Sequence, residues 1–105
     1  KGSITYTQML NKNGGIETDL SITCIDENKY RIVTGSGVRE HDKKHILKYL
    51  DKDTTFKDIT EDLSCFGIFG PKSRLLLTDI FGKEFDNNKF SFGKARSIKK
   101  LVNFE

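Results

Sequence analysis

Three features of this sequence predict an α+β fold: period-two alternation in the first third, helical spacing after Gly35-Ser36-Gly37, and a second helical stretch between Gly70-Pro71 and Gly82. The expected architecture is a ferredoxin-like split arrangement, an antiparallel sheet with two helices covering one face. The other face then stays open or packs on a neighbour outside these residues, since a large apolar face left in water marks an interaction surface.

Ser3 to Leu10 alternates, with Ile4, Tyr6, Gln8 and Leu10 on one side, and Asn11-Lys12-Asn13-Gly14-Gly15 follows as a hairpin turn. The return strand runs from Asp19 to Ile25, where Leu20, Ile22 and Cys24 oppose Ser21, Thr23 and Ile25. Asp26-Glu27-Asn28-Lys29 turns the chain into Tyr30-Arg31-Ile32-Val33-Thr34, giving three strands in meander order. Val38, Ile46, Tyr49 and Leu50 then mark the apolar side of a helix over roughly 39–50, which Asp51-Lys52-Asp53 ends. Residues 56–60 and 63–69 read as two further strands. Pro71 suits the first turn of a helix reaching about Phe81, and Gly82 is its natural stop. The remainder, Asn87-Asn88 and residues 90–104, reads as a loop with one or two short strands.

At 105 residues the chain is a single domain, 1–105, too short for a two-domain enzyme with its own cofactor fold and lid. With 35% apolar and 31% charged residues it reads as globular, which excludes disorder and disulfide scaffolds. No apolar run is long enough to span a membrane. The net charge of +3 is small and interspersed, so charge gives no argument for nucleic acid. Cys24 and Cys65, far apart and without C-x-x-C spacing, read as buried free thiols. Free thiols favour a reducing compartment, bacterial cytoplasm or mitochondrial matrix. The chain opens at Lys1 without a signal-peptide pattern and ends in the strand-like Leu101-Val102-Asn103-Phe104, so it reads as a piece of a longer protein.

Several stretches imitate chemical motifs and fail in detail. His41-Asp42-Lys43-Lys44-His45 spaces two imidazoles like a zinc-protease helix, but Asp is a methylene shorter than the required Glu and no third ligand follows, so no metal is expected. Both histidines fall away from the Ile46 and Leu50 side and read as a solvated helix edge. Gly35-Ser36-Gly37 would need a glycine where Glu40 stands to be a dinucleotide loop. In Gly70-Pro71-Lys72-Ser73, Pro71 removes an N–H that a phosphate nest needs. Lys94, Arg96, Lys99 and Lys100 with Phe90, Phe92 and Phe104 could form a basic aromatic patch for RNA, yet the ribonucleoprotein pattern is absent.

Gly14-Gly15-Ile16-Glu17-Thr18-Asp19-Leu20 is more informative. A carboxylate beginning a strand, beside glycines, can be held against a ligand with the backbone close by, and Tyr6 lies on the paired strand. Ring and carboxylate make a corner for a flat, nitrogen-rich heterocycle, although an ordinary Asp after a hairpin turn fits the same residues.

Taken with Tyr6-Thr7-Gln8-Met9-Leu10-Asn11, Ile32-Val33-Thr34-Gly35-Ser36-Gly37, Asp58-Ile59-Thr60 and Gly70-Pro71-Lys72-Ser73-Arg74, this stretch resembles the folate-binding aminomethyltransferase family, typified by the T-protein of the glycine cleavage system. Thr34-Gly35-Ser36-Gly37, Glu40-His41-Asp42 and Asp58-Ile59-Thr60-Glu61-Asp62-Leu63 look most like the C-terminal region of dimethylglycine and sarcosine dehydrogenases. The resemblance covers essentially the whole chain and makes it part of a larger folate-binding region. It implies a role for Asp19 near the folate's reactive nitrogen, as catalytic and cofactor-binding residue, and for Tyr6 as the aromatic lining the folate pocket. T-proteins commonly carry Asp-Asp before Leu and an Asn ending the third strand, whereas here Thr18 precedes Asp19 and Thr34-Gly35 replaces the Asn. The first change spares the matched carboxylate. The second bears on one pterin contact and on aminomethyltransferase activity itself.

The family's downstream Tyr-x-Gly-Glu segment and an FAD fingerprint have no counterpart here, so the resemblance places both, with the flavin domain and the remaining folate subdomains, elsewhere in a parent chain. The implied function is capture of a one-carbon unit as methylene-tetrahydrofolate after a flavin domain has oxidised an N-methyl amine. A glycine-cleavage aminomethyltransferase, a folate-dependent demethylase, and a non-catalytic RNA-binding or regulatory module are the alternatives. In isolation the fragment is expected to be inactive and to bind folate poorly, because half a pocket buries too little of the ligand.

Overall fold

In the computed structural model, which describes residues 1–98, the chain opens with an antiparallel meander of β1 (Ile4–Leu10), β2 (Ile16–Asp26) and β3 (Lys29–Val33). The β1–β2 turn is organised by Asn11. Its Oδ1 accepts from the backbone N–H groups of Asn13 and Gly15 at 3.0 and 2.9 Å, and its own N–H donates to the Gly15 carbonyl. Gly14 sits at φ +81, where a side chain would be strained, and a Cβ on Gly15 would meet the Asn11 amide at 2.8 Å. This is the physical content of the Asn-x-Asn-Gly-Gly cluster.

The two-residue alternation breaks once near that turn. Met9 pairs with Thr18 but Leu10 pairs with Ile16, so Glu17 is the extra residue of a β-bulge. A second irregularity lies between Cys24 and Asp26, before the turn into β3. Residues 93–95 return to the start of the sheet, where Ser3 and Lys94 form an isolated antiparallel bridge.

A 3-10 turn over Ser36–Val38 leads into helix α1 (Arg39–Tyr49), whose buried position is Asp42 rather than an apolar residue. Of the four residues expected on its apolar side, Ile46 and Leu50 are half-buried while Val38 and Tyr49 are exposed. Helix α2 (Ser73–Phe81) begins two residues after Pro71 and ends at Gly82, whose N–H donates to the Thr78 carbonyl and whose φ of +94 turns the chain out of the helix. It packs on the 3-10 turn Lys83–Phe85: Phe85 stacks between Phe81 and Phe90, and Arg74 Nη1 donates to the carbonyls of Phe85 and Phe90. Leu20 in the sheet and Phe85 below α2 are the buried apolar residues among those described.

The α+β class is as expected, with an antiparallel sheet and two helices. The finer connectivity differs, because all three strands precede both helices and the strand order is consecutive, so the described residues form a meander and not the ferredoxin-like split. Residues 56–60 and 63–69 were expected to supply the missing strands. Asp58 prevents this at its position: its Oδ1 takes the Thr60 N–H and hydroxyl, closing a 3-10 turn over Thr60–Asp62. Residues 63–69 are neither helix nor strand, and Leu63, Phe66 and Phe69 are exposed. Cys65 is therefore exposed and Cys24 half-buried, where burial of both free thiols was expected. The expected strand near the end of the chain falls partly on residues 99–104, outside the described residues.

Candidate functional site

The β1–β2 register brings together the two residues that the sequence singled out. Gln8 is opposite Asp19 and Tyr6 is opposite Ser21, so Tyr6 and Asp19 are diagonal neighbours on one face of the hairpin. The Tyr6 hydroxyl donates to Asp19 Oδ2. That bond, together with the nearby carboxylate charge, pushes the phenol above its ordinary pKa. Tyr6, Thr7, Gln8 and Leu10 line a shallow open hollow beside the pair. The described residues give this carboxylate no shelter, for Asp19 is exposed and Tyr6 is 70% exposed.

The opposite face of β2 holds a polar cluster that sequence reasoning missed. Asp42, 1% exposed on α1, accepts from the Thr18 hydroxyl at 3.1 Å and from the Thr34 hydroxyl, and its Oδ1 lies 2.9 Å from His41 Nδ1. Burial opposes its ionisation, but the hydrogen bonds from Thr34, His41 and Thr18 outweigh it and hold the carboxyl below its ordinary value. His41 Nε2 lies 3.2 Å from Glu17 Oε2, and Glu17 also accepts from Asn11 Nδ2 at 3.0 Å. His41 is raised above the ordinary imidazole value, first by its bond to Asp42 and then by the charges of Asp42 and Glu17.

This cluster gives the imitated zinc motif another role. His41 is exposed, as expected of a solvated helix edge, yet it also links helix to hairpin, and His45 stacks on Tyr49 with ring centroids 5.1 Å apart. Among the described residues no group of His, Cys, Asp and Glu could hold a metal ion. The two threonines that depart from the T-protein pattern, Thr18 and Thr34, both serve the same carboxylate, a coupling invisible one position at a time. The bulge at Glu17 explains the rest, since it lets the adjacent residues 17 and 18 both reach α1, which strict alternation forbids.

The other motifs are structural in place. Asp58, lowered to about 2 chiefly by the two bonds from Thr60, also receives Arg39 Nε and Nη2 at 3.0 Å, while Arg39 Nη1 reaches Glu61 at 2.8 Å. The turn at Thr60–Asp62 is thereby tied to α1. Gly70-Pro71-Lys72-Ser73 lines a shallow hollow with Ile68, Phe69 and Leu76. In the basic patch, Arg96 is engaged by Glu84 Oε2 at 2.6 Å and by the Lys89 carbonyl, Phe92 is fully exposed, and Lys99, Lys100 and Phe104 lie outside the described residues.

Fold and hairpin together define an α+β piece built around a two-faced strand, with an aromatic–carboxylate pair on one side and a polar clasp on the other. Comparison with known families gives it a place: the GCVT N-terminal domain matches residues 1–103, and the chain belongs to that family. It is 30% identical to the mitochondrial sarcosine dehydrogenase of Mus musculus and 27% identical to the mitochondrial dimethylglycine dehydrogenase of Homo sapiens, in each case over 93% of this chain and 12% of the relative. It is also 27% identical to an aminomethyltransferase of Halothermothrix orenii, over 86% of this chain and 25% of that protein. The chain thus spans about an eighth of the dehydrogenases it matches. No solved structure matches it, and no helix among the described residues is long and apolar enough to cross a membrane.

Proposed function

We propose that this chain is the tetrahydrofolate-binding portion of a dimethylglycine/sarcosine dehydrogenase-like enzyme, in which a one-carbon unit is captured as methylene-tetrahydrofolate. The observation that carries the reading is the Tyr6–Asp19 pair on adjacent strands, at the edge of an open hollow. Membership of the GCVT family and likeness to proteins named sarcosine and dimethylglycine dehydrogenase support it.

The residues present fit a pteridine. An exposed phenol ring offers a flat apolar face, and a carboxylate beside it can accept an N–H. Tetrahydrofolate, when bound, supplies the nucleophilic amine. Tyr6 holds Asp19 Oδ2 through its hydroxyl, which fixes the carboxylate plane and leaves the other oxygen for the ligand's N–H. Asp19 would hold a proton taken from the bound amine, and its negative charge would favour a cation beside it. Because both residues are exposed here, water is excluded by the remaining folate subdomains of the parent chain, which close over this face. FAD belongs to a separate domain of the parent, and the reducing compartment of the mitochondrial matrix or bacterial cytoplasm suits the free thiols.

Equilibrium titration of tetrahydrofolate into the full protein tests the pairing. Tyr6→Phe retains the ring and binds within a few-fold of wild type, whereas Tyr6→Ala loses the stacking face and binds about tenfold more weakly. Equal dissociation constants for all three forms would refute the assignment.

A further inference from the structure

We propose that Asp42 is a positioning residue for this site: with Thr18, Thr34 and His41 it clamps one face of β2, and so presents Asp19 to Tyr6 on the other. The functional half of the inference rests on reading Asp19 as the folate-facing carboxylate; the structural half does not.

The geometry has three parts. Asp42 is the one fully buried side chain among the described residues, and it is charged, so its placement depends on the donors around it. Those donors come from three separate places in the chain: Thr18 from β2, Thr34 from the segment after β3, and His41 from α1 itself. Thr18 is adjacent to Asp19 and on the opposite face, and its hydroxyl also lies 3.4 Å from the Asp19 carbonyl oxygen. The Thr18–Asp19 peptide is therefore held from below by the clasp, while the Asp19 side chain projects above it.

The bulge strengthens this arrangement. Glu17, turned out of alternation, reaches His41 Nε2 and Asn11 Nδ2, so the hairpin turn is tied to α1 one residue before Thr18. Bulges loosen the local ladder, and a carboxylate following one needs another constraint to hold its direction. Asp42 supplies that constraint. Without it, rotation at residue 18 would swing Asp19 away from the phenol.

The Tyr6 hydroxyl is the reporter, since its ionisation is held back by Asp19 and by no other carboxylate assigned to it. In the full protein labelled with [13C]tyrosine, with the Tyr6 signal assigned by its loss in Tyr6→Phe, the phenol is titrated in wild type, Asp19→Asn, Thr18→Val, Thr18→Ser and Asp42→Ala. Asp19→Asn sets the value of an unassisted phenol. Thr18→Val and Asp42→Ala move Tyr6 at least half-way to that value, and Thr18→Ser, which keeps the hydroxyl, stays with wild type. Should Asp42→Ala not fold, the Val and Ser pair at residue 18 decides alone. A Tyr6 titration in folded Thr18→Val that superimposes on wild type overturns the inference. If that happens while Asp19→Asn abolishes tetrahydrofolate binding, only the positioning role fails. If instead Tyr6 responds to Thr18→Val but tetrahydrofolate binding ignores Asp19→Asn, the clasp stands and the folate reading falls.

Discussion

At the scale of single residues, the chemistry of the hairpin depends on which side chains share a face. Tyr6 and Asp19 could be placed on adjacent strands from the alternation and the glycine turn, and the family resemblance singled them out; the register that makes them diagonal neighbours is seen in the structure. The clasp could not be read from the sequence, because its members are brought near by a bulge and by the packing of α1, and neither leaves a local trace. His41 gives the clasp a pH dependence. Its pKa is higher folded than unfolded, so its stabilising contribution is fully present below the ordinary imidazole value of about 6.5 and is lost as pH rises through the raised value. The groups facing it are Glu17 from β2 and Asp42 on its own helix, both acidic. Thermal unfolding midpoints of wild type and His41→Gln, measured across pH 5–9 at roughly unit steps, separate most at the acid end and converge toward the alkaline end. Parallel curves would show that His41 does not bridge the two carboxylates.

At the scale of elements, the turns and the three-stranded meander were legible, whereas residues 56–69, expected as two further strands, form none. Asn11, Gly14, Gly15 and Gly82 carry geometric demands that a sequence states openly: an amide acceptor for turn N–H groups at Asn11, positive φ at Gly14 and Gly82, and at Gly15 no room for a Cβ beside the Asn11 amide. Asn11→Ala, which strips two backbone N–H partners and the link to Glu17, destabilises the chain by about 1–2 kcal/mol. A lower urea midpoint with an unchanged slope in the full protein records that loss; an unchanged midpoint would remove Asn11 from the organisation of the turn. Residues 56–69 have strand-like composition, but a strand exists only where a partner takes its hydrogen bonds, and Asp58 offers Thr60 a local alternative. The helix over Arg39–Tyr49 was legible in extent but not in orientation, since its buried residue is a carboxylate and apolar periodicity passes over it.

At the scale of the whole molecule, the α+β class was legible and an open face was expected, but the extent of the exposed surface was not legible. The accessible surface is 9201 Å², whereas a closed domain of this mass exposes about 6,000 Å². The radius of gyration is 16.4 Å, against about 13 Å for a compact chain of similar length. Apolar residues such as Phe66, Phe69, Leu75 and Phe92 face outward, as they would where neighbouring structure covers them. On the proposed folate-binding role, the 105-residue chain alone is expected to bind tetrahydrofolate at least roughly tenfold more weakly than the full protein; equal affinities in equilibrium titrations of both would mean that this surface needs no cover. The most direct test remains the proton that Asp19 is proposed to take. With tetrahydrofolate saturating, methylene-tetrahydrofolate formed per amine oxidised is measured in the full protein and its Asp19→Asn variant. A fall of roughly 10²-fold is predicted, and an undiminished yield would contradict the account.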